Sequence, residues 1–303
     1  MNTKSEKQNS LISLIDGKTP TKKKADCYRI VHFSDIHAGI FSWGNGLFDK
    51  RLLGKINQYL RRKRFFNAEY LQKAAKLFKQ IQADFFVCTG DLTSVGSPEE
   101  FSLAEELLHP ILEIAGDNFL YVPGNHDAYC HDEKCKLALQ ETFYRLNRGR
   151  FQLSELPVSF YDEEVEFVLC NAAMPKAFFS SNGEIGQEAW KELKDMLMQK
   201  KETAFRILLQ HFPYLDRNGK RLSWRRRLKR DKELLQLHKD NFFDHLLCGH
   251  IHQAFTLQLP SKKYAQAICC AGSISLYGDF LVVDLNSKTK KSDIYSGRLG
   301  NRE

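Results

Sequence analysis

Five short segments place Asp, Asn and His at spacings that suit metal binding. They are Asp35-Ile36-His37, Gly90-Asp91, Gly124-Asn125-His126-Asp127, His211-Phe212-Pro213 and Gly249-His250-Ile251-His252. Asp and His are strong ligands for divalent metals of intermediate hardness, and Asn offers an uncharged carbonyl oxygen. In Asp35-Ile36-His37 and His250-Ile251-His252 the paired ligands stand two apart, so an extended strand end would put each pair on one face. Gly90 permits a sharp turn that aims Asp91 inward. For His211 alone, a buried, hydrogen-bonded histidine is the competing reading, and its place in the series favours a ligand.

Asp35, His37, Asp91, Asn125, His211, His250 and His252 make seven ligands, enough for two metal ions if one carboxylate bridges. Two ions ~3.5–4 Å apart hold the attacking and leaving oxygens of an in-line displacement at phosphorus, and a water between them ionises near neutral pH. His126, beside Asn125, is then left to protonate a leaving group or grip a phosphate oxygen. Mn²⁺, Fe²⁺/Fe³⁺ and Zn²⁺ all fit such donors. The expectation is a metal-dependent phosphoesterase with two divalent ions. Four other histidines are read as non-ligands: His32 along a strand, His109 at a helix end before Pro110, and His238 and His245 at the surface.

Functional residues of α/β folds sit at the C-terminal ends of parallel strands, and four of the five segments directly follow an apolar, strand-like run. Strands are expected at Tyr28 to Phe33, Phe85 to Cys88, Phe119 to Val122, Val165 to Cys170, Arg206 to Leu209 and His245 to Cys248. Helices are expected at Leu71 to Gln82, after the capping box Ser97-Pro98-Glu99-Glu100, and near Gln187 to Lys200. The last strands, Ala265 to Cys270 and Asp279 to Leu285, have no helix between them. The pattern reads as an α/β fold whose sheet ends antiparallel, hence a mixed sheet or two stacked sheets.

Residues 1–26 read as a basic, mostly disordered leader, and 27–303 as one domain with a basic helical insertion at about 40–66. In that insertion Phe48, Leu52, Leu53, Ile56, Tyr59 and Leu60 form an apolar stripe opposite Lys50, Arg51, Lys55, Arg61 and Arg62. It is a surface helix, a lid or a foot on an anionic membrane. The 303 residues carry 45 Lys and Arg against 37 Asp and Glu, a net charge of +8 that suits anionic partners. A second basic cluster, Arg225 to Arg227 with Lys229 and Arg230, lies beside Trp224. Arg61, Arg62, Arg225 and Arg226 are the candidates for substrate contact. No apolar run approaches the ~20 residues of a membrane span. The eight cysteines include no Cys-x-x-Cys pair and suggest a reducing compartment, hence a cytoplasmic protein, with peripheral contact to the inner membrane face as an option. Cys130 and Cys135 flank His131 in a weakly specified candidate zinc site, and Cys88, Cys170 and Cys248 look like core residues.

The ordered series Asp-x-His, Gly-Asp, Gly-Asn-His-Asp, His and Gly-His-x-His resembles the calcineurin-like metallophosphoesterase superfamily, over about residues 28–285 and including the turn Ala271-Gly272-Ser273. The resemblance implies a two-sheet sandwich flanked by helices. It implies that Asp35, His37, Asp91 and His252 hold one metal and that Asp91, Asn125, His211 and His250 hold the other. Asp91 is then the bridge and His126 the catalytic histidine. The protein-phosphatase branch continues its second motif with an Asp that supports this histidine and an Arg. Here Ser94 replaces the acid and the Arg is missing, which disfavours a protein phosphatase and leaves the partner of His126 open. The runs Ser34-Asp35-Ile36-His37 and Gly90-Asp91-Leu92-Thr93 are most similar to bacterial cyclic-nucleotide-phosphodiesterase-type members. The expected partner is a phosphorylated small molecule or a lipid-linked phosphate. The alternatives are a lipid-diphosphate pyrophosphohydrolase at a membrane, a nuclease using Trp224 and its arginines, and a catalytically silent basic binding protein.

Overall fold

The computed structural model describes residues 22–39, 67–130, 132–174, 181–199, 201–260 and 266–300, together with the backbone of a short strand β1 (Ile12–Leu14). The insertion at 40–66, with Arg61 and Arg62, lies outside the described residues. β1 pairs antiparallel with a late strand, so part of the expected leader has strand pairing.

The sequence alternates strands with helices. In chain order these are β2 (Tyr28–Phe33), α1 (Ala68–Ile81), β3 (Phe85–Cys88), α2 (Pro98–Ala115), β4 (Phe119–Tyr121) and α3 (Glu133–Leu146), then β5 (Val158–Asp162), β6 (Val165–Leu169), α4 (Gln187–Met198), β7 (Phe205–Leu209) and α5 (Asp231–Lys239), then β8 (His245–Cys248), β9 (Ala254–Leu259), β10 (Gln266–Ala271), α6 (Ile274–Tyr277), β11 (Asp279–Asn286) and β12 (Lys291–Leu299). They form two mixed six-stranded sheets, ordered β1-β12-β11-β2-β3-β4 and β5-β6-β7-β8-β10-β9. In the first, β2, β3 and β4 run parallel and β11 is antiparallel to β2. In the second, β6, β7, β8 and β10 run parallel, with antiparallel β5 and β9 at the edges. The late strands Gln266–Ala271 and Asp279–Asn286 enter different sheets, joined by the short α6.

Alternation along each strand explains the layers, because successive side chains leave opposite faces. Phe85 faces the second sheet and meets Phe167 at 4.8 Å between ring centroids, while Phe86 turns to Phe78 of α1 at 6.1 Å. In the second sheet Phe167, Leu169, Ile207, Leu209 and Leu247 join the core between the sheets. Their neighbours Val168, Leu208, Leu246 and Ile268 pack with Trp190, Leu193 and Leu197 of α4 and Leu234 of α5. Both sheets are therefore buried on both faces, which is why their central strands read as unbroken apolar runs. Each sheet also buries one cross-strand ion pair, Arg29 Nε to Asp284 at 2.6 Å and Arg206 Nε to Glu166 at 2.7 Å.

Two local expectations change. His109 and Pro110 do not end a helix; Pro110 lies inside α2. Residues 106, 109 and 110 are exposed, so water satisfies the carbonyl that proline leaves without a partner. His238 and His245 are fully buried rather than at the surface. His238 donates from Nε2 to the Asp244 carbonyl at 2.9 Å, and its Nδ1 accepts from the Tyr214 hydroxyl.

Candidate metal centre

Each of the five motif segments follows a strand, three from the first sheet and two from the second. The site therefore lies where the C-terminal ends of β2, β3 and β4 meet those of β7 and β8. The two sheets are stitched together there by the candidate ligands. His211 Nδ1 donates to the Thr89 carbonyl at 2.6 Å, and the His250 N–H donates to Asp35 Oδ2 at 3.1 Å.

The paired ligands do not converge as an extended strand end would bring them. Asp35, His37, Asp91, His250 and His252 all have positive φ, at 58°, 52°, 53°, 70° and 61°. The chain past β2, β3 and β8 winds through left-handed turns, a conformation that costs a non-glycine residue of order 1–3 kcal/mol and persists only where its surroundings impose it. The motif glycines make room for these turns. A Cβ on Gly124 would lie 2.2 Å from Asp91 Oδ1, and one on Gly249 would lie 2.0 Å from Ser34 Oγ and 2.4 Å from Asp35 Oδ2.

Ligand atoms of Asp35, His37, Asp91 and His252 all lie within 4.8 Å of one another. His37 Nε2 and His252 Nε2 face each other at 3.0 Å. His252 Nε2 is 3.1 Å from Asp35 Oδ1. Asp91 Oδ2 lies 3.8 Å from His37 Nε2 and 3.2 Å from His211 Nε2, between the two halves of the site. Asp91 Oδ1 is held by the His126 N–H at 2.8 Å. On the other side, His250 Nδ1 meets Asn125 Oδ1 at 2.9 Å, and the His211 and His250 rings are 5.3 Å apart.

The protonation pattern fits divalent cations. His211 Nδ1–H donates to a carbonyl, and its buried Nε2 faces Asp91 Oδ2 at 3.2 Å; the buried Asp35 Oδ1 faces His252 Nε2 at 3.1 Å. Burial, and then the nearby His211, push His250 down to about 3, so the ring is neutral. Its proton sits on Nε2, donated to the Arg226 carbonyl at 3.1 Å, and its bare Nδ1 therefore faces a second acceptor in Asn125 Oδ1. Two acceptors facing each other would suit a bound cation, which both could ligate. Backbone carbonyls that fix which ring nitrogen is bare are the usual outer support of metal-binding histidines. Burial disfavours a charge at Asp35, yet His252 and His37 hold its carboxyl well below the usual range. Burial likewise opposes protonation of His211, but Asp91 pushes it up to about 10, a measure of how strongly this pocket attracts positive charge.

His126 stands beside this cluster, its ring 5.0 Å from that of His37. Its Nδ1–H donates to the Ser94 carbonyl at 2.8 Å. The partner left open by the missing acid is thus a backbone oxygen. Asp127 turns away, accepting from Tyr121 Oη at 2.8 Å, Gly124 N at 2.9 Å and Thr93 N at 3.0 Å; burial and then Asp91 push its carboxyl up to about 6. Glu100 has a role the sequence reading did not find. Ser97 caps α2 as expected, but the Glu100 carboxylate gathers the N–H groups of Ser94, Val95 and Gly96 at 3.2, 2.7 and 3.2 Å. The Glu four residues after a Gly-rich turn was the available signal.

The basic segment divides. Arg226 reaches the site, with Nη2 donating to the His250 carbonyl at 3.2 Å. Arg225 instead lies over the Trp224 ring at 5.1 Å. Arg221 binds Asp231 at 2.7 Å and Lys229 binds Glu184 at 2.8 Å, so part of the local charge is paired within the chain at its surface. His32 keeps out of the cluster, hydrogen-bonded to Thr89 Oγ1 at 2.9 Å.

The sequence profile of calcineurin-like phosphoesterases matches residues 28–254. The chain belongs to that family. It is accordingly a hydrolase of phosphoric esters, with a His/Asp cluster compatible with a dinuclear metal site. No curated protein matches the chain in sequence. Among solved structures, a dimetal phosphatase from Danio rerio shares 13% identity over 90% of this chain and 96% of its own, with a TM-score of 0.61. A purple acid phosphatase from yellow lupin (Lupinus luteus) shares 13% identity over 92% of this chain and 54% of its own, at 0.54. The NAD nucleotidase of Haemophilus influenzae shares 14% over 88% of this chain and 49% of its own, at 0.51. The phosphoesterase thus spans about half the length of the last two, and the likeness at these identities is one of fold. Among the described residues no helix is long and apolar enough to cross a membrane.

Proposed function

We infer that this phosphoesterase is a dimetal phosphodiesterase of small phosphorylated molecules. Asp35, His37, Asp91 and His252 hold one divalent ion, and Asp91, Asn125, His211 and His250 the other. The observation that carries this reading is Asp91 Oδ2, flanked by His37 Nε2 at 3.8 Å and by the buried His211 Nε2 at 3.2 Å. A carboxylate in that position would serve both halves of the site. Divalent ions there supply Lewis-acid stabilisation of the phosphoryl charge and lower the pKa of a water. Mn²⁺, Fe and Zn²⁺ all suit the donors.

The chain's own residues do the rest. The Ser94 carbonyl fixes the Nδ1–H of His126. A second proton on that ring must sit on Nε2, from which it passes to the leaving oxygen as the P–O bond breaks. Glu100 holds the loop that presents the carbonyl. A cleft of about 250 Å³ beside the His250–His252 motif is lined by Arg217, Arg221, Arg226, Ile251 and Gln253. It offers a place, with positive charge from Arg217 and Arg226, for the second substituent of a diester. The internal pairing of Arg221 and Lys229 favours a small ester over a nucleic-acid strand.

The test is hydrolysis of bis-p-nitrophenyl phosphate by metal-stripped protein reloaded with Mn²⁺, beside the monoester, cyclic nucleotides and nucleoside-diphosphate conjugates. The diester is expected to be preferred, and Asp91→Ala and Asn125→Ala to lose at least about 100-fold in kcat/KM. Full activity of Asp91→Ala, or a clear preference for the monoester, would sink the reading.

A further inference from the structure

The segment that follows the His126 loop has no part in this reaction, yet the fold gathers its chemistry. Cys130 precedes α3, Asp132 is the N-cap of that helix, and Cys135 lies in its first turn. Ligand atoms of all three residues lie within 4.8 Å of one another. Cys130 Sγ–H donates to Asp132 Oδ2 at 3.1 Å, while Asp132 Oδ1 accepts the Cys135 N–H at 2.9 Å. The helix cap therefore uses one carboxylate oxygen, and the other faces a thiol. Cys135 is buried, Cys130 half-buried and Asp132 exposed, which leaves the cluster open on one side.

We propose that Cys130, Asp132 and Cys135 bind one thiophilic divalent cation of the zinc class, at a site separate from the Asp/His centre. Two thiolates and a carboxylate select such an ion over harder Mg²⁺ or Ca²⁺, and the open side leaves a fourth position for solvent. The balance is simple: the ion enters, each thiol releases one proton to solvent, and no electron moves. A Cys130–Cys135 disulfide is the competing fate. Cys130 Sγ is turned to the Asp132 carboxylate, and Cys135 is buried away from solvent oxidants. A cation pairs with both sulfurs. The consequence reaches the catalytic loop, because Tyr129 stacks on His126 with centroids 6.1 Å apart and planes 13° apart. A cation at Cys130 would clip that loop to the start of α3.

The test is titration of the full chain, purified under reductant, with Co²⁺. Thiolate-to-cobalt charge transfer in the near ultraviolet reports this site alone, since the Asp/His centre has no sulfur ligand. One equivalent of the band is expected, displaced by Zn²⁺, lost in the Cys130→Ser, Cys135→Ser double variant, and accompanied by slower alkylation of both thiols. Asp132→Asn keeps a helix cap, so it should fold and weaken Co²⁺ binding by at least about tenfold. No band at saturating Co²⁺, a band that survives the double serine variant, or a Cys130–Cys135 disulfide in the mass of the reduced protein overturns the proposal.

Discussion

His126 Nδ1 donates to the backbone carbonyl of Ser94 at 2.8 Å, so a peptide oxygen, not a carboxylate, is the partner of this ring nitrogen. The Ser94 side chain is not needed for the contact; its Oγ donates to the His37 carbonyl instead, at 3.0 Å. The residue that holds the peptide is Glu100. Glu100→Ala should therefore lower kcat by about 10-fold or more with KM little changed, because a misplaced proton donor costs up to about 100-fold. Ser94→Ala should stay within about twofold of the parent. Steady-state kinetics on esters of graded leaving-group pKa would show the Glu100→Ala defect growing as the leaving group worsens.

Gly124→Ala puts a methyl group 2.2 Å from Asp91 Oδ1, and Gly249→Ala puts one 2.4 Å from Asp35 Oδ2. Neither carboxylate can retreat, since both are buried and held from several sides. Each substitution should cost about 1–3 kcal/mol of stability and strip bound metal. Elemental analysis and thermal melts would check this; a variant with full metal content at normal Tm would contradict it.

Removal of metal should destabilise the fold as well as stop turnover. Asp35 and Asp91 are buried charges, and a cation between them neutralises both. At a free ion concentration of about 100 Kd the gain is about 2.7 kcal/mol. Thermal melts before and after chelation, then after reloading with Mn²⁺, should show Tm falling and returning.

Acid should weaken the second sheet. Burial, the largest cause in each case, holds His238 down to about 3 and His245 down to about 4, against an ordinary value of 6.5. The unfolded chain therefore binds these protons first. Stability is intact above pH 6.5, falls as pH drops below it, and continues to fall toward about 3. His245 has no hydrogen-bond partner at either ring nitrogen, so His245→Leu should raise stability and flatten part of this dependence. Urea unfolding at neutral pH and at about pH 5 would measure both effects.

The motif segments and the buried strands that precede them were legible because both are local. A buried parallel strand must be continuously apolar, and Phe85–Cys88 or His245–Cys248 ends where Gly-Asp or Gly-His begins. The strands that escaped notice, β1, β5, β9 and β12, lie at or next to sheet edges, and β5, β9 and β12 mix polar residues with partly exposed positions and so do not stand out. Surface placement of His238 and His245 failed for a related reason. Burial of a histidine depends on what packs over it, here Phe243 stacked on His238 at 4.2 Å and Phe205 on His245 at 6.3 Å.

The sequence by itself determined which atoms are available to bind metal and that strands deliver them, since residue type and hydrophobic period need no tertiary knowledge. Only the tertiary structure decided how they converge. Left-handed turns at Asp35, His37, Asp91, His250 and His252, not extended strand ends, aim the side chains. Carbonyls of Thr89, Ser94 and Arg226, from segments distant in sequence, settle which nitrogen of His211, His126 and His250 is bare. A peptide oxygen carries no side-chain signature, so its partner is fixed by the packing of two sheets and cannot be read from the residue that bears it.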